Sequence, residues 1–486
     1  MSLKEKTLQG LSWSFIDNFL NKAITFVVGI ILARLISPSE FGVIGYTTFF
    51  VVISSSFIDC GFGAALIRKK DCTLIDCSTV FYYNLAISVL FYVFLFFLAP
   101  LAESFFDVPG FTSILRVIGL TLVIGALASI QGLLLSKRID FKTQTKISLY
   151  SNIPVGIITI IMAYNGFGVW ALVWRAVLGQ AIASALLWLF NDWRPIMVFS
   201  VKSFKELFGF GYKLALSSLL DSIFGNILYP IIGKNFSQAT LGQYTRAENY
   251  ASMFSSTLTD NIQRVSFPVL SSIQDDQEKL KSGYRKMIKS TMLITFVCML
   301  GLASIAKPLV LILIGEQWLP CVTYLQLMCF AYMLYPLHAM NLNIILVKGR
   351  SDLFFKLEVI KKLLYIPIIF IGIYMGVIAL LISEMILSFI AYFLNSYYSA
   401  NMIRYPVKEQ IMDVFPLLLI SLSVSGLVWC ITFLNLNNWL TLILQIGVGG
   451  FLTILIYEMI NQENYREIKQ IVLHYIGKIS RRGIIK

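Results

Sequence analysis

Stretches of about twenty apolar residues recur along the whole chain, and that repetition leaves few folds open. Val80–Ala99 contains one amide, Asn84, and no charge, while Val414–Leu434 and Trp439–Tyr457 contain no charge at all. Roughly 20 residues of helix cross a ~30 Å hydrocarbon core. Only helices or closed barrels satisfy every backbone group in lipid, and barrel strands would alternate polar with apolar. The chain is 57% hydrophobic and only 13% charged, against about 25% charged in soluble proteins. These features predict an all-α, polytopic membrane protein.

Apolar runs separated by Gly, Pro and Asn turns, such as "NGFG" at 165–168, predict about fourteen spanning helices. They cover 11–36, 41–66, 78–99, 113–135, 146–164, 169–190, 209–232, 240–263, 288–306, 321–347, 353–374, 376–399, 413–434 and 439–460. The opening "MSLKEKTLQG" lacks the small-residue cleavage site of a signal peptide, and the apolar segment after it is too long for one. It reads as the first span. Most of the 39 Lys and Arg residues then fall in alternate loops, which by the positive-inside rule places both termini on the cytoplasmic side. The net charge of +13 therefore records orientation and contact with anionic membrane lipids rather than nucleic-acid binding. Basic residues and apolar Ile468, Ile471, Val472, Tyr475, Ile476 and Ile479 predict an amphipathic cytoplasmic tail.

An internal echo organises these spans. "ILARLISPSEFG" (31–42) and "IIGKNFSQATLG" (231–242) share Ile31/Ile231, Ser37/Ser237 and Gly42/Gly242, with basic Arg34 opposite Lys234. At the same offset of 200, Asp17, Asn18, Asn21 and Lys22 face Ser217, Ser218, Asp221 and Ser222. Each set forms a polar stripe on an otherwise apolar helix. "SKRIDF" (136–141) and "KGRSDLF" (348–354) give a second echo. Six helices per repeat make the two halves parallel, one of the known transporter plans. The expected organisation is an N-lobe at 1–195, a C-lobe at 196–405, two extra helices at 406–460 and the tail at 461–486.

Ionisable residues inside spans are costly and usually face a bundle interior or a wet cavity. The eighth span is the most polar, with Arg246, Glu248, Asn249, Ser252, Ser255, Ser256, Thr259, Asp260, Asn261 and Arg264, so it should line water. Asp17, Asp59, Asp221, Asp260 and Glu384 read equally as ion-coupling acids or as structural hydrogen-bond acceptors. Arg34 and Lys234 read as outer-gate cations or as simple helix-end anchors. Glu358, Lys361 and Lys362 suit interfacial pairing, and His338 suits packing. Seven cysteines show no paired framework, and Cys72-x4-Cys77 has no histidine nearby, so no metal site is expected. No Gly-rich phosphate loop and no catalytic constellation is present, and no extramembrane segment is large enough for a soluble active site. The chain reads as a transporter rather than an enzyme.

"GLSWSFIDNFLNKAITFVVGIILARLISPSEFGVIGY" (Gly10–Tyr46) resembles the opening of the Wzx-type polysaccharide/O-antigen flippases. These belong to the multidrug/oligosaccharidyl-lipid/polysaccharide exporter superfamily. "LARLISPSEFG" (Leu32–Gly42) is the best marker, with "FGVWALVWRAV" (Phe167–Val177) and "LGQYTRAENY" (Leu241–Tyr250) as further blocks. The resemblance implies two six-helix lobes around a central cavity and flipping of an undecaprenyl-pyrophosphate-linked oligosaccharide across a bacterial inner membrane. It points to Lys22, Arg175, Arg246 and Arg264 as cavity cations that bind substrate. It implies no cofactor, leaves a coupling Na+ or H+ open, and brings in a polysaccharide polymerase and a chain-length regulator as partners. Two other readings stay open at this level: a multidrug/cation antiporter of the same superfamily, and a membrane-embedded glycan polymerase or transferase.

Overall fold

In the computed structural model the described residues, 3–69, 71–460, 465–466 and 469–470, are helical with short connections and contain no strand. The predicted tail at 461–486 therefore lies almost entirely outside the described residues. Contacts divide the chain into two compact units, Met1–Thr245 and Arg246–Lys486.

The first unit contains α1 (Leu3–Leu35), α2 (Pro38–Asp59), α3 (Phe62–Arg68), α4 (Leu74–Phe106) and α5 (Phe111–Lys137). It continues through α6 (Phe141–Tyr164), α7 (Val169–Phe190), α8 (Val201–Asn226), α9 (Leu228–Asn235) and the first turns of α10 (Gln238–Ser272). The second unit takes the rest of α10, then α11 (Gln277–Leu313), α12 (Leu319–Tyr332), α13 (Tyr335–Val347) and α14 (Ser351–Met375). It ends with α15 (Val377–Ile403), α16 (Val407–Cys430) and α17 (Asn438–Met459).

Twelve described helical stretches are long and apolar enough to cross a membrane, which makes this a multi-pass membrane protein. The remaining two predicted segments, 240–263 and 353–374, are also helical, as α10 and α14. α10 carries a stripe of Ser, Thr, Asn and Asp, and α14 carries Asp352, Lys356, Glu358, Lys361 and Lys362 in its first half. Three predicted spans are interrupted. The 41–66 segment breaks into α2 and α3 because Cys60 and Gly61 both take left-handed backbone, φ 43° and 71°. The 209–232 segment breaks at Ile227, three residues before Pro230, and 321–347 breaks at Met333–Leu334, just before Pro336. Proline supplies no N–H to the preceding turn.

Contacts assign α8 and α9 to the first unit although the predicted lobe boundary falls at 195. The reason is close packing along α2. A Cβ on Gly61 would lie 2.3 Å from the Gly211 carbonyl oxygen of α8, and one on Gly233 would lie 2.2 Å from the Tyr46 ring. Midway, Ser56 Oγ and Ser222 Oγ share a 2.7 Å hydrogen bond. At the far end the two echo glycines meet. A Cβ on Gly42 would sit 1.9 Å from the Gln238 carbonyl oxygen, and one on Gly242 would sit 1.8 Å from that of Pro38. Backbones this close exclude every other residue type. The repeated Ser-x4-Gly thus marks a crossing of two helix starts.

The second unit is fastened by charge as well as by packing. Asp413 of α16 accepts two bonds from the Arg285 guanidinium, at 2.5 and 2.7 Å, one from Lys289 at 2.8 Å, and one from Tyr405 at 2.5 Å. Its side chain is 8% exposed. The cluster links α16 to α11 through both Arg285 and Lys289.

Candidate functional site

In the first unit the polar stripe of α1 is organised from its own sequence outward. Asp17 Oδ1 accepts from Asn21 Nδ2 at 2.9 Å, an i,i+4 contact, and Asn21 Oδ1 accepts from Asn152 Nδ2 of α6 at 2.8 Å. Lys22 is half-buried beside this chain of amides, and Asn18 and Thr25 are exposed on the same helix. Lys22 and Arg175 each have an interaction partner. Arg175, on α7, is half-buried next to Trp174, which is exposed. Asp59, at the end of α2, and Asp221, on α8, are exposed. Arg34 and Lys234 are exposed as well; the Lys234 ammonium donates to the Phe105 carbonyl and lies 4.9 Å from that residue's ring centroid.

In the second unit α10 carries two polar faces. One is turned inward: Ser255 Oγ donates to the Tyr332 carbonyl at 2.9 Å, and Ser266 Oγ accepts from Asn343 Nδ2 at 3.0 Å. The other shows exposed Asn249 and Asp260, with half-buried Ser252 and Ser256 between them at steps of three and four, which keeps all four on one side of the helix. Arg246, nine residues before Ser255, points away from that inward face and is buried by other neighbours. It is 9% exposed, with its guanidinium carbon 5.5 Å from the Trp318 ring centroid and 5.8 Å from that of Tyr250. This is cation–π geometry. The side chain of Arg264 falls outside the described residues.

Glu384 of α15 is the centre of a polar cluster within the second unit. One of its oxygens accepts from Tyr365 Oη of α14 at 2.5 Å, and its Oε2 is buried with no hydrogen-bond partner. Nearby, Tyr332 Oη donates to Glu248 at 3.4 Å, and the Tyr332 and Tyr335 rings stack at 4.7 Å. His338 Nε2 lies 3.1 Å from Ser388 Oγ, which itself donates to the Ala331 carbonyl. Glu358 pairs with Lys361. Among the described residues no group of three or more His, Cys, Asp or Glu is arranged to hold a metal.

A family model described as polysaccharide biosynthesis protein matches residues 31–323. The chain belongs to this family. Among relatives of this polysaccharide biosynthesis protein, an uncharacterized membrane protein in the cps region of Klebsiella pneumoniae is 27% identical, covering 81% of this chain and 83% of the relative. The lipopolysaccharide biosynthesis protein WzxC of Escherichia coli K12 is 26% identical, covering 76% of each chain. The teichuronic acid biosynthesis protein TuaB of Bacillus subtilis is also 26% identical, covering 75% of this chain and 76% of its own. Two solved structures share the fold. The lipid II flippase MurJ superposes with a TM-score of 0.76 at 14% identity, over 93% of this chain and 100% of that one. A multidrug resistance MATE family transporter superposes with a TM-score of 0.62 at 15% identity, over 79% and 95%. The fold of this chain is the one these two membrane proteins share.

Sequence reasoning named most of the polar residues of this polysaccharide biosynthesis protein but not their partners. Tyr365, Glu248 and the Tyr332–Tyr335 stack around Glu384 went unnoticed as a cluster. "YMLYPLH" (332–338), with two tyrosines and a histidine at steps of three, was the available signal. Nothing in the sequence connects it to Tyr365 or Glu384, which come from other helices.

Proposed function

We propose that this protein flips an undecaprenyl-pyrophosphate-linked oligosaccharide from the inner to the outer leaflet of a bacterial cytoplasmic membrane. The observation that carries this reading is the outward stripe of α10, Asn249, Ser252, Ser256 and Asp260. Hydroxyls, amides and a carboxylate at membrane depth are costly against acyl chains, so such a stripe needs water or a polar ligand over it. A sugar head supplies many hydroxyls, each costing roughly 4–8 kcal/mol to strip of water unpaired, and its pyrophosphate would face a Born cost of tens of kcal/mol in hydrocarbon. Half-buried Lys22 and Arg175 suit the pyrophosphate, the guanidinium because its fork meets two oxygens at once. The prenyl tail needs no path of its own, because it is already soluble in the bilayer.

The protein then works by alternating access, opening first to one side and then to the other. An inside-negative potential favours outward movement of the anionic head by about 2.3 kcal/mol per charge per 100 mV. Glu384, with one oxygen held by Tyr365 and the other unpartnered, is the place for a coupling H+ or Na+. Both termini lie on the cytoplasmic side, and the flipped unit passes to a polymerase and a chain-length regulator. Two of the relatives are named for lipopolysaccharide and teichuronic acid biosynthesis, which supports a lipid-linked glycan as the substrate.

The exposed acids Asp59, Asp221 and Asp260 favour a second reading, export of organic cations. One experiment separates the two. Purified protein is reconstituted in vesicles holding a fluorescent lipid-linked oligosaccharide, and its exposure at the outer leaflet is followed with a membrane-impermeant quencher; ethidium efflux is measured in parallel. Glycolipid movement without ethidium efflux supports the flippase, and ethidium efflux alone replaces it with the antiporter.

A further inference from the structure

The short link between α3 and α4 brings two thiols together. Cys72 precedes the N-cap Thr73, Cys77 sits in the first turns of α4, and their sulfurs are 3.3 Å apart. Cys77 is 3% exposed and packs in an apolar cluster with Phe62, Leu66, Phe81 and Trp193; Cys72 is half-buried against the same cluster. The link itself is held in place. Thr73 and Asp76 form a reciprocal capping box, Lys69 bridges Asp76 and Glu206 at 3.1 Å each, and the Lys137 ammonium of α5 donates to the Leu66 and Lys69 carbonyls. These anchored groups around two adjacent sulfurs form a built environment. None of the seven cysteines is in a disulfide bond.

We infer that Cys72 and Cys77 form a reversible dithiol–disulfide site that takes a small-molecule disulfide as its oxidant. The Cys77 thiol hydrogen-bonded to Cys72, helped by the positive charge of Lys137 and Lys69 and opposed by burial and by Asp76, lowers the Cys72 thiol to about 7. Thiolate is therefore abundant at neutral pH, and the thiolate is the attacking species. Cys72 thiolate attacks one sulfur of the oxidant, forming a mixed disulfide and expelling one thiolate. Cys77 then attacks the Cys72 sulfur, its proton passing to the departing sulfur; the internal S–S bond forms and the second thiol leaves. Two thiols are oxidised and one external disulfide is reduced to two thiols. The bond closes a ring across the start of α4 and fixes the α3–α4 link, which a dithiol reductant releases. This site is independent of the substrate proposed above.

The test uses the full-length protein in detergent with oxidised glutathione as the probe, followed by maleimide labelling and peptide mass mapping. The expected result, with labelling done after denaturation, is loss of two of the seven thiols, an internal Cys72–Cys77 bond in the peptide, no retained glutathione there, and full recovery with dithiothreitol. Cys77→Ser should instead stop at a stable glutathione adduct on Cys72, and Cys72→Ser should take up none at Cys77. If Cys77→Ser does not fold, Cys77→Ala repeats the measurement in the same apolar pocket. A glutathione adduct that persists on wild-type Cys72, or two thiols that both survive oxidation, overturns the proposal.

Discussion

The starts of α2 and α10 stand 200 residues apart and open with the same Ser-x4-Gly, yet they are held very differently. At the first, Ser37 and Glu40 form a complete capping box: Ser37 Oγ accepts from Glu40 N, and Glu40 Oε2 accepts from Ser37 N at 3.0 Å and from its hydroxyl at 2.8 Å. Glu40 also reaches out of its helix, where its Oε1 accepts from Val169 N at the start of α7 at 3.0 Å. At the second, Thr240 stands in place of Glu40. Ser237 Oγ accepts from Thr240 N at 3.0 Å and shares a 2.8 Å hydroxyl contact with Thr240 Oγ1. One start is pinned to a third helix and the other is only capped. What the two copies keep in common is the glycine, and with it the crossing.

That common feature yields the largest expected effect. Alanine at Gly42 or Gly242 would place a methyl within 2 Å of a carbonyl oxygen of the facing helix start. Backbone cannot yield as a flexible side chain can, so both substitutions should exceed the usual 1–3 kcal/mol cost of overpacking. Each should lower folded abundance and melting temperature sharply, by similar amounts, in detergent-solubilised protein. A silent Gly242→Ala would break the comparison at its root, because it would mean that the two glycines do not share one contact.

The unequal feature comes next. Glu40→Ala removes an N-cap partner, worth about 0.5–2 kcal/mol, and also strands the Val169 amide at the head of α7. The expected loss is about 2 kcal/mol for Glu40→Ala against about 0.5 kcal/mol or less for Thr240→Ala, read as melting-temperature shifts in otherwise identical protein. Equal shifts would mean that the link to α7 contributes nothing.

Much of this comparison was legible in the sequence, and the illegible part has a physical cause. The presence and order of the helices follow from hydropathy, because each span needs at least about 20 apolar residues; the ends follow less well, since α11 runs over Gln277–Leu313 where 288–306 is expected. The echo of Ser37–Gly42 at Ser237–Gly242 could be read directly, and Pro230 and Pro336 announce two of the three breaks. The break at Cys60–Gly61 could not be seen, because apolar sequence continues through Phe62–Ile67 and only backbone φ distinguishes it. Partners distant in sequence were also hidden. Asp17 and Asn21 meet by helical spacing alone, but Asn152, Val169 for Glu40 and Tyr365 for Glu384 arrive from other helices. Arg246 shows the same limit: its position in a polar helix suggested a wet face, whereas Trp318 and Tyr250 cover it.

The comparison extends one helix back, to Lys22 on α1 and its counterpart Ser222 on α8. If Lys22 holds the anionic head, Lys22→Ala should slow glycolipid flipping about tenfold, near 1.4 kcal/mol in the barrier. Melting temperature and membrane abundance should stay unchanged, and Lys22→Arg should restore much of the rate. Flipping at the wild-type rate by Lys22→Ala would remove this residue from the transport path.

Ser222 should behave in the opposite way, with the smallest effect of the set. Its hydroxyl is committed to Ser56 on α2 at 2.7 Å, and interhelical hydrogen bonds within membranes average about 0.6 kcal/mol. Ser222→Ala should therefore cost about that much stability, and Ser56→Ala the same. The double substitution should cost less than the sum, because each hydroxyl is the other's partner. Flipping should continue at close to the wild-type rate in all three. Position 22 would then carry charge for the substrate while position 222 joins two helices, so an echo in sequence would have kept the place and divided the work. A Ser222→Ala protein that melts normally but no longer flips its glycolipid would reverse that division, putting the substrate rather than α2 opposite α8.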